Sequence, residues 1–328
     1  MPPATSRRWF DSAVRGSRAP MRLGNIIRRL EQQRRLDRIV DAARPLADRL
    51  SGSRWGDVLH GVQLGHPAHP LLVQVPIGAW TSAAALDMLP NTQRSAHRLV
   101  DLGIAASVPA VLAGLADSAH QHRHHQRVAL VHAASNGTAL LLYAASSVAR
   151  WRGRHTLGRG LGLAGFTAVG MGGMLGAHIS YALAGGASHA AHAVDRMPAD
   201  WWEIGPLAEL PEGQPVRRDA GPVPVVVVRE GREVHALADS CGHMGGPLSE
   251  GAIANGCITC PWHGSRFRLR DGTVLNGPAT APQPVLRTRV DGSGTVAVAR
   301  PDEAEVVERL PSAVTDALPH RARSPRGP

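Results

Sequence analysis

The sequence predicts a chain of two parts, an all-α transmembrane domain of four helices followed by a small all-β domain. Three observations carry that expectation. Apolar stretches lie near residues 71–89, 99–116, 128–149 and 160–186, each about as long as a crossing of a roughly 30 Å hydrocarbon layer requires. After residue 200 the pattern changes to shorter runs at 222–229, 233–237, 285–290 and 295–298, which alternate or run apolar as strands do. Between those runs, two glycine-rich loops, Cys241-Gly242-His243 and Cys260-Pro261-Trp262-His263, each bring a cysteine and a histidine.

The 328 residues leave room for two or three domains. The formal net charge of +10 is entirely arginine, because the chain has no lysine, so part of it reads as composition bias. A basic balance suits nucleic acid or anionic lipid. No zinc finger, base-stacking motif or helix-turn-helix pattern is present and long apolar segments are, so lipid is the expected partner and nucleic acid is not. Three cysteines make no disulfide framework, and a reducing cytosol is permitted.

In chain order, residues 1–24 are rich in Pro, Arg and Ser and lack the apolar core of a signal peptide, which predicts a disordered cytosolic tail. From Asn25 to Leu50, Ile26, Leu30, Leu36, Ile39, Val40 and Ala43 recur at helical spacing among arginines. That pattern suits a helix lying on an anionic membrane, or equally one packed on its own domain. Residues 1–54 are therefore read as basic tail and amphipathic helix, and 55–190 as the four-helix domain. Its many Ala and Gly residues favour close helix packing in a bilayer; a soluble bundle is the alternative. Arginines number sixteen on the side of the N-terminus against six on the other, which puts both termini in the cytoplasm, although the run RWRGRHTLGR opposes it.

The histidines of this domain invite a second site. His66 and His69 precede the first apolar stretch, His132 lies early in the third and His178 late in the fourth, so antiparallel packing places all four toward one leaflet. Paired histidines on facing helices can ligate haem or a metal, and haem b or a quinone pocket is one expectation. The other is that they bond helix ends and backbone carbonyls as helix glue. His120, His122, His124 and His125 in HQHRHHQR read more simply as a solvated loop, with weak metal binding as the alternative. Trp201 and Trp202 either sit at lipid headgroups or pack at the start of the β domain. Residues 301–328 read as a short helix and a disordered end.

The two Cys/His loops carry the chemistry. Two thiolates on one iron and two imidazoles on the other complete a [2Fe-2S] centre, and glycines let the backbone wrap closely around sulfide. Structural zinc would also take two Cys and two His, but Cys-x-His is tighter than the usual zinc spacing of paired ligands. Cys257 forms Cys-x-x-Cys with Cys260, a dithiol pattern; a small buried residue on the strand entering the second loop is the simpler reading. These loops, with the Asp271-Gly272 turn and the run Gly277-Pro278-Ala279-Thr280-Ala281-Pro282, resemble the Rieske family over about residues 200–300. HPAHPLLVQVPIGAW and GAHISY resemble an uncharacterised bacterial family of four-helix membrane proteins, with an HPxHP signature and no established activity.

The Rieske resemblance implies Cys241, His243, Cys260 and His263 as cluster ligands, one-electron transfer, and a proline loop shielding the cluster. The histidines should form the exposed edge and the cysteines lie deeper. The high-potential members link their two loops by a disulfide, at positions that correspond here to Gly246 and Trp262, so that bond is absent. Ser265 is retained, whereas the family's tyrosine position is Phe267. With one hydroxyl donor fewer, a potential in the lower or middle part of the range from about −150 to +300 mV is expected. A two-His-one-carboxylate iron site would need a further large domain, so the chain reads as an electron-transfer protein of the cell membrane with its Rieske domain in the cytoplasm. A redox protein or a quinone is the expected partner. The rival readings are a ferredoxin component of a multicomponent oxygenase or reductase, and a redox or iron sensor.

Overall fold

The structure, a computed structural model, describes residues 22–301; the tails expected before and after them lie outside the described residues. It separates into two compact units. Among the described residues, one is built from 22–46, Val75–Ala106 and Gln121–Leu183, the other from Ala47–Gln74, Ser107–His120 and 184–301.

The expected helix at 25–50 is two helices, α1 (Arg22–Gln32) and α2 (Asp37–Ser51), joined by a 3₁₀ turn. Its apolar residues divide between a packed edge and an exposed one. Ile27 packs with Val128, Leu175 and Ile179, and Asp37 takes two hydrogen bonds from the Arg127 guanidinium at 2.7 and 2.8 Å. The segment is thus packed on its own unit along one edge through Ile27 and Leu30, while Ile26 and Ile39 of the stripe are 53% and 54% exposed. Two short helices follow, α3 (Gly56–His60) and α4 (Ala68–Leu72).

The four main helices are α5 (Gln74–Leu86), α6 (Gln93–Ser118), α7 (Arg123–Trp151) and α8 (His155–Ala177), the last continuing into a π turn at His178–Ala182. Three of them, α6 to α8, are long and apolar enough to cross a membrane. The first expected stretch, 71–89, falls short. It is divided between α4 and α5, and the 13 residues of α5 rise only about 20 Å. Pro70 and Pro76 each lack the backbone N–H a continuous helix would use there. Trp80 of α5 stacks on Tyr143 of α7, with centroids 4.2 Å apart, at the centre of a core with Val100, Ala139 and Val169. Outward residues such as Leu141 and Leu163 stay 73% and 64% exposed, the reverse of a water-soluble bundle, which turns such side chains inward.

The histidine-rich stretch is a solvated loop only in part. Arg123 already begins α7, and His125 is buried, its Nε2 2.8 Å from the Leu183 carbonyl. A short helix, α9 (Ala191–Arg196), leads into the β domain.

The β domain has a six-stranded sheet ordered β1-β10-β9-β4-β3-β2 and a four-stranded sheet β5-β6-β7-β8. Its strands are β1 (Trp202–Pro206), β2 (Pro215–Ala220), β3 (Val223–Glu230), β4 (Glu233–Ala238), β5 (Ala252–Ala254), β6 (Cys257–Thr259), β7 (Arg266–Arg268), β8 (Val274–Asn276), β9 (Val285–Val290) and β10 (Thr295–Ala299). The valine run of β3 explains the architecture. Val223, Val225 and Val227 enter one core with Ile204, Ala236 and Val296, while Val226 and Val228 enter a second with Leu237, Ile258, Phe267 and both loop cysteines. A strand covered on both faces is continuously apolar rather than alternating. Trp202 lies in β1 and Trp201 lies under Arg287 and Arg289, 5.1 and 4.5 Å from its ring, so the tryptophan pair serves the β domain.

Candidate functional site

The two loops are built alike. In the first, the Cys241 N–H donates to the Gly246 carbonyl at 2.8 Å and the Gly245 N–H to the Cys241 carbonyl at 2.8 Å. In the second, the Cys260 N–H donates to the Ser265 carbonyl at 2.8 Å and the Gly264 N–H to the Cys260 carbonyl at 3.1 Å. Each turn therefore closes on its own cysteine, and each needs a residue at positive φ four places on, where Gly245 (78°) and Gly264 (74°) stand. The first loop leaves β4 and the second joins β6 to β7, so the two core-forming sheets hold them face to face.

The four expected ligands meet there. Cys241 and Cys260 are buried and all three cysteines are free thiols. The Nδ1 atoms of His243 and His263 are 3.2 Å apart, with ring planes at 88°, so both imidazoles turn the same nitrogen inward. The Cys241 thiol donates to Cys260; that bond, helped by the Trp262 and His263 amides and opposed by burial, lowers the Cys260 thiol to about 6 and raises Cys241. Burial first, then the imidazoles of His263, His120, His60 and His189, push His243 down to about 2. Neutral imidazole and thiolate are the forms that bind metal, and two soft thiolates with two imidazoles are the donor set of a [2Fe-2S] centre. The residues present fit that group.

Several side chains fix the loops. The Gln283 amide, 1% exposed, donates from Nε2 to the Ala238 and Ser240 carbonyls at 2.7 Å each and accepts from the Gly242 N–H at 3.0 Å. Sequence reading passed over it, although an amide flanked by Pro282 and Pro284 in a shielding loop is an available signal. Ser265 Oγ accepts from the Ala279 N–H at 2.9 Å, which ties the second loop to the proline loop and leaves its hydroxyl proton to donate elsewhere. Gly246 sits where any Cβ would come within 2.9 Å of the Trp262 ring and 3.1 Å of Cys260 Sγ, so the two positions where other members carry a disulfide are neighbours here. Phe267 is fully buried in the core that holds the cysteines, and Trp262 is half exposed. Cys257 is a buried residue of β6, as expected.

A helical segment also reaches this loop region within the same compact unit. His120 stands 5.4 Å from His263 and 6.1 Å from His243 between ring centroids. His60 Nδ1 lies 2.7 Å from Asp117 Oδ1 and its Nε2 2.8 Å from Ser51 Oγ, which is 3.3 Å from His120 Nδ1. Asp57 accepts from the Gly277 N–H at 2.8 Å and from Asn276 Nδ2 at 3.2 Å. None of Ser51, Asp57, His60, Asp117 and His120 stood out in the sequence as a site residue.

The other histidines form no joint site. His66 Nδ1 is 3.2 Å from the Pro67 carbonyl and His69 Nδ1 2.8 Å from the Ala110 carbonyl. His132 Nδ1 is 2.7 Å from the Gly172 carbonyl, and His178 Nε2 2.9 Å from Glu31. Among the described residues, no group of three or more His, Cys, Asp or Glu is gathered as a single metal ion needs. His69 and His132 bond carbonyls of neighbouring helices, the bonding of the second expectation, whereas His66 bonds the carbonyl next to it in the chain and His178 a carboxylate; nothing in their placement supports haem b.

Residues 200–292 match the family described as Rieske [2Fe-2S] domain, and residues 65–189 the family described as predicted membrane protein (DUF2231). The chain is similar to the anthranilate 1,2-dioxygenase ferredoxin subunit of Burkholderia cepacia, 39% identical over 101 residues that cover 30% of this chain and 94% of that one. It is also similar to the 3-phenylpropionate/cinnamic acid dioxygenase ferredoxin subunit of Escherichia coli K12, 35% identical over 88 residues, 26% of this chain and 82% of that one. Among solved structures, the ferredoxin of carbazole 1,9a-dioxygenase from Nocardioides aromaticivorans IC177 is 30% identical, with a TM-score of 0.30, and the match covers 31% of this chain and 98% of that one.

Proposed function

The chain belongs to the Rieske [2Fe-2S] family, with its Rieske domain fused behind a predicted membrane domain, and from this we propose that it is a membrane-anchored one-electron carrier. Cys241, His243, Cys260 and His263 would hold the cluster, and residues 200–300 form its domain beside a membrane domain at 55–190. The carrying observation is the convergence of two like-built loops, each offering one thiol and one inward Nδ1. The bound cluster supplies reversible one-electron chemistry. The protein's residues do the rest: the core sheets bury the cysteines, Gln283 and Ser265 set the loop positions, and the imidazoles present the side from which electrons pass.

The arginine count favours both termini in the cytoplasm, and the run RWRGRHTLGR opposes it. Arg150 is buried in a bidentate pair with Asp87 at 2.8 and 2.5 Å, and Arg159 lies 3.7 Å from the same carboxylate. The membrane helices would serve as anchor, and a quinone in the bilayer as electron partner.

A second reading, the ferredoxin component of a multicomponent oxygenase, is favoured by the ferredoxin subunits to which the β domain is similar. A redox or iron sensor has no comparable observation behind it. The test is an absorption and EPR spectrum of the detergent-purified full-length protein, oxidised and then reduced with dithionite. A Rieske-type reduced signal supports the proposal, and no such signal from iron-loaded protein would end it. Reduction of the cluster by a quinol in proteoliposomes favours the membrane partner, whereas reduction only by a soluble flavoprotein reductase favours the ferredoxin reading.

A further inference from the structure

The side of the two ligand imidazoles that faces away from the cysteines is covered by the chain itself. His120 packs edge-on against both rings. Behind it, Ser51 and His60 link to Asp117 at the end of α6, so the imidazole is backed by a side-chain network in which His60 is buried and Ser51 and Asp117 are half-buried. Asp57 clasps the loop at Asn276 and Gly277 through both carboxylate oxygens, and Val62 lies so close to Gly277 that a Cβ there would approach its methyl to 3.1 Å. What remains open is a pocket of about 410 Å³ lined by Ser51, Asp57, His60, His120, His263 and Asn276. That volume admits a small molecule, and His120 stands against both ligand rings on the side a flat partner surface would approach. The ferredoxin subunits similar to this chain are matched along most of their length by less than a third of it, which leaves them little chain for such a cover.

We propose that this edge is a closed interface, latched by Asp57 and covered by His120, at which the centre exchanges electrons with a small polar redox molecule and not with a docked protein. The inference rests on the electron-transfer reading and narrows its partner. Each exchange moves one electron between the centre and the carrier, with no bond made or broken. The lining of hydroxyl, imidazole and carboxamide groups suits a carrier with hydrogen-bonding oxygens.

The test uses dithionite-reduced full-length protein in detergent, mixed in stopped flow with hexaammineruthenium(III), a small cationic oxidant, or with cytochrome c, a cationic protein oxidant. Wild type should react readily with the first and slowly with the second. In Asp57→Ala, which removes two hydrogen bonds to a carboxylate, the cytochrome c rate should rise about tenfold while the hexaammineruthenium rate stays within about twofold. Asp57→Asn, which keeps one acceptor, should fall between. A cytochrome c rate unchanged by Asp57→Ala, or an equal rise with both oxidants, overturns the proposal. Hydrogen exchange reads the latch without the cluster: the Gly277 amide should be protected in wild type and exchange about tenfold faster in Asp57→Ala, and equal protection also overturns it. A preparation lacking the Rieske signal would refute the electron-transfer reading alone, with the exchange measurement still deciding on the latch.

Discussion

Replacing Gln283 by Leu tests how the first loop is held. The two side chains are similar in size, so the substitution deletes hydrogen bonds with little change in packing volume. Three are lost: the Ala238 and Ser240 carbonyls lose a donor at 2.7 Å each and the Gly242 N–H loses its acceptor at 3.0 Å. At about 1 kcal/mol for each bond, and more for any group left buried and unpaired, the loss is on the order of 3–5 kcal/mol. In a domain of roughly 100 residues this would lower the midpoint of thermal unfolding by about 12–25 °C. The assay follows loss of the cluster's visible absorbance on heating the full-length holoprotein. Gln283→Glu should be no better, because a carboxylate faces the two carbonyls. A midpoint within about 2 °C of wild type would show that water replaces the amide and that Gln283 does not position the loop.

Phe267→Tyr should raise the reduction potential in an EPR-monitored redox titration, because a hydroxyl donor near the cysteines stabilises the reduced form; no rise would show that the ring does not reach the cluster. Asp271 should make stability depend on pH at the acidic end. Burial alone would raise its pKa, but donors from Thr273 and Arg268 outweigh that and lower it. Its contribution is thus fully present above the unfolded carboxylate pKa near 3.8 and is lost as pH falls through the depressed folded value. Asp271→Asn should accordingly lose stability at neutral pH and match wild type once the pH lies below both values. Arg150→Met leaves Asp87 largely buried without its bidentate partner and should cost about 3–5 kcal/mol, read as a lower temperature of aggregation in detergent, with Asp87→Asn milder.

The loops were legible because their information is local: four ligands and the turn-forming glycines lie within 25 residues, and the valine run states its own double burial. The cover was not legible, since Asp57 and Gly277 are separated by 220 positions and no periodicity links them. His120 was submerged in a run of like residues, where a composition rule reads only polarity. The short α5 failed for another reason. Its residues are as apolar as a membrane span, and only the prolines at 70 and 76 mark where the helix is interrupted.

The histidines show why residue type alone misled at the helices and succeeded at the loops. An imidazole has two nitrogens, and a site is defined by which one is turned toward its neighbours. His69 and His132 spend Nδ1 on backbone carbonyls of adjacent helices, which holds the ring in place as a packing element. His243 and His263 turn Nδ1 toward each other beside two buried thiols. The same side chain therefore fastens helices at His69 and His132 and stands ready for metal at the two loops. If the latch prediction holds, His120 adds a third role: neither ligand nor fastener, it stands over the ligand rings and decides the size of the partner that can approach them.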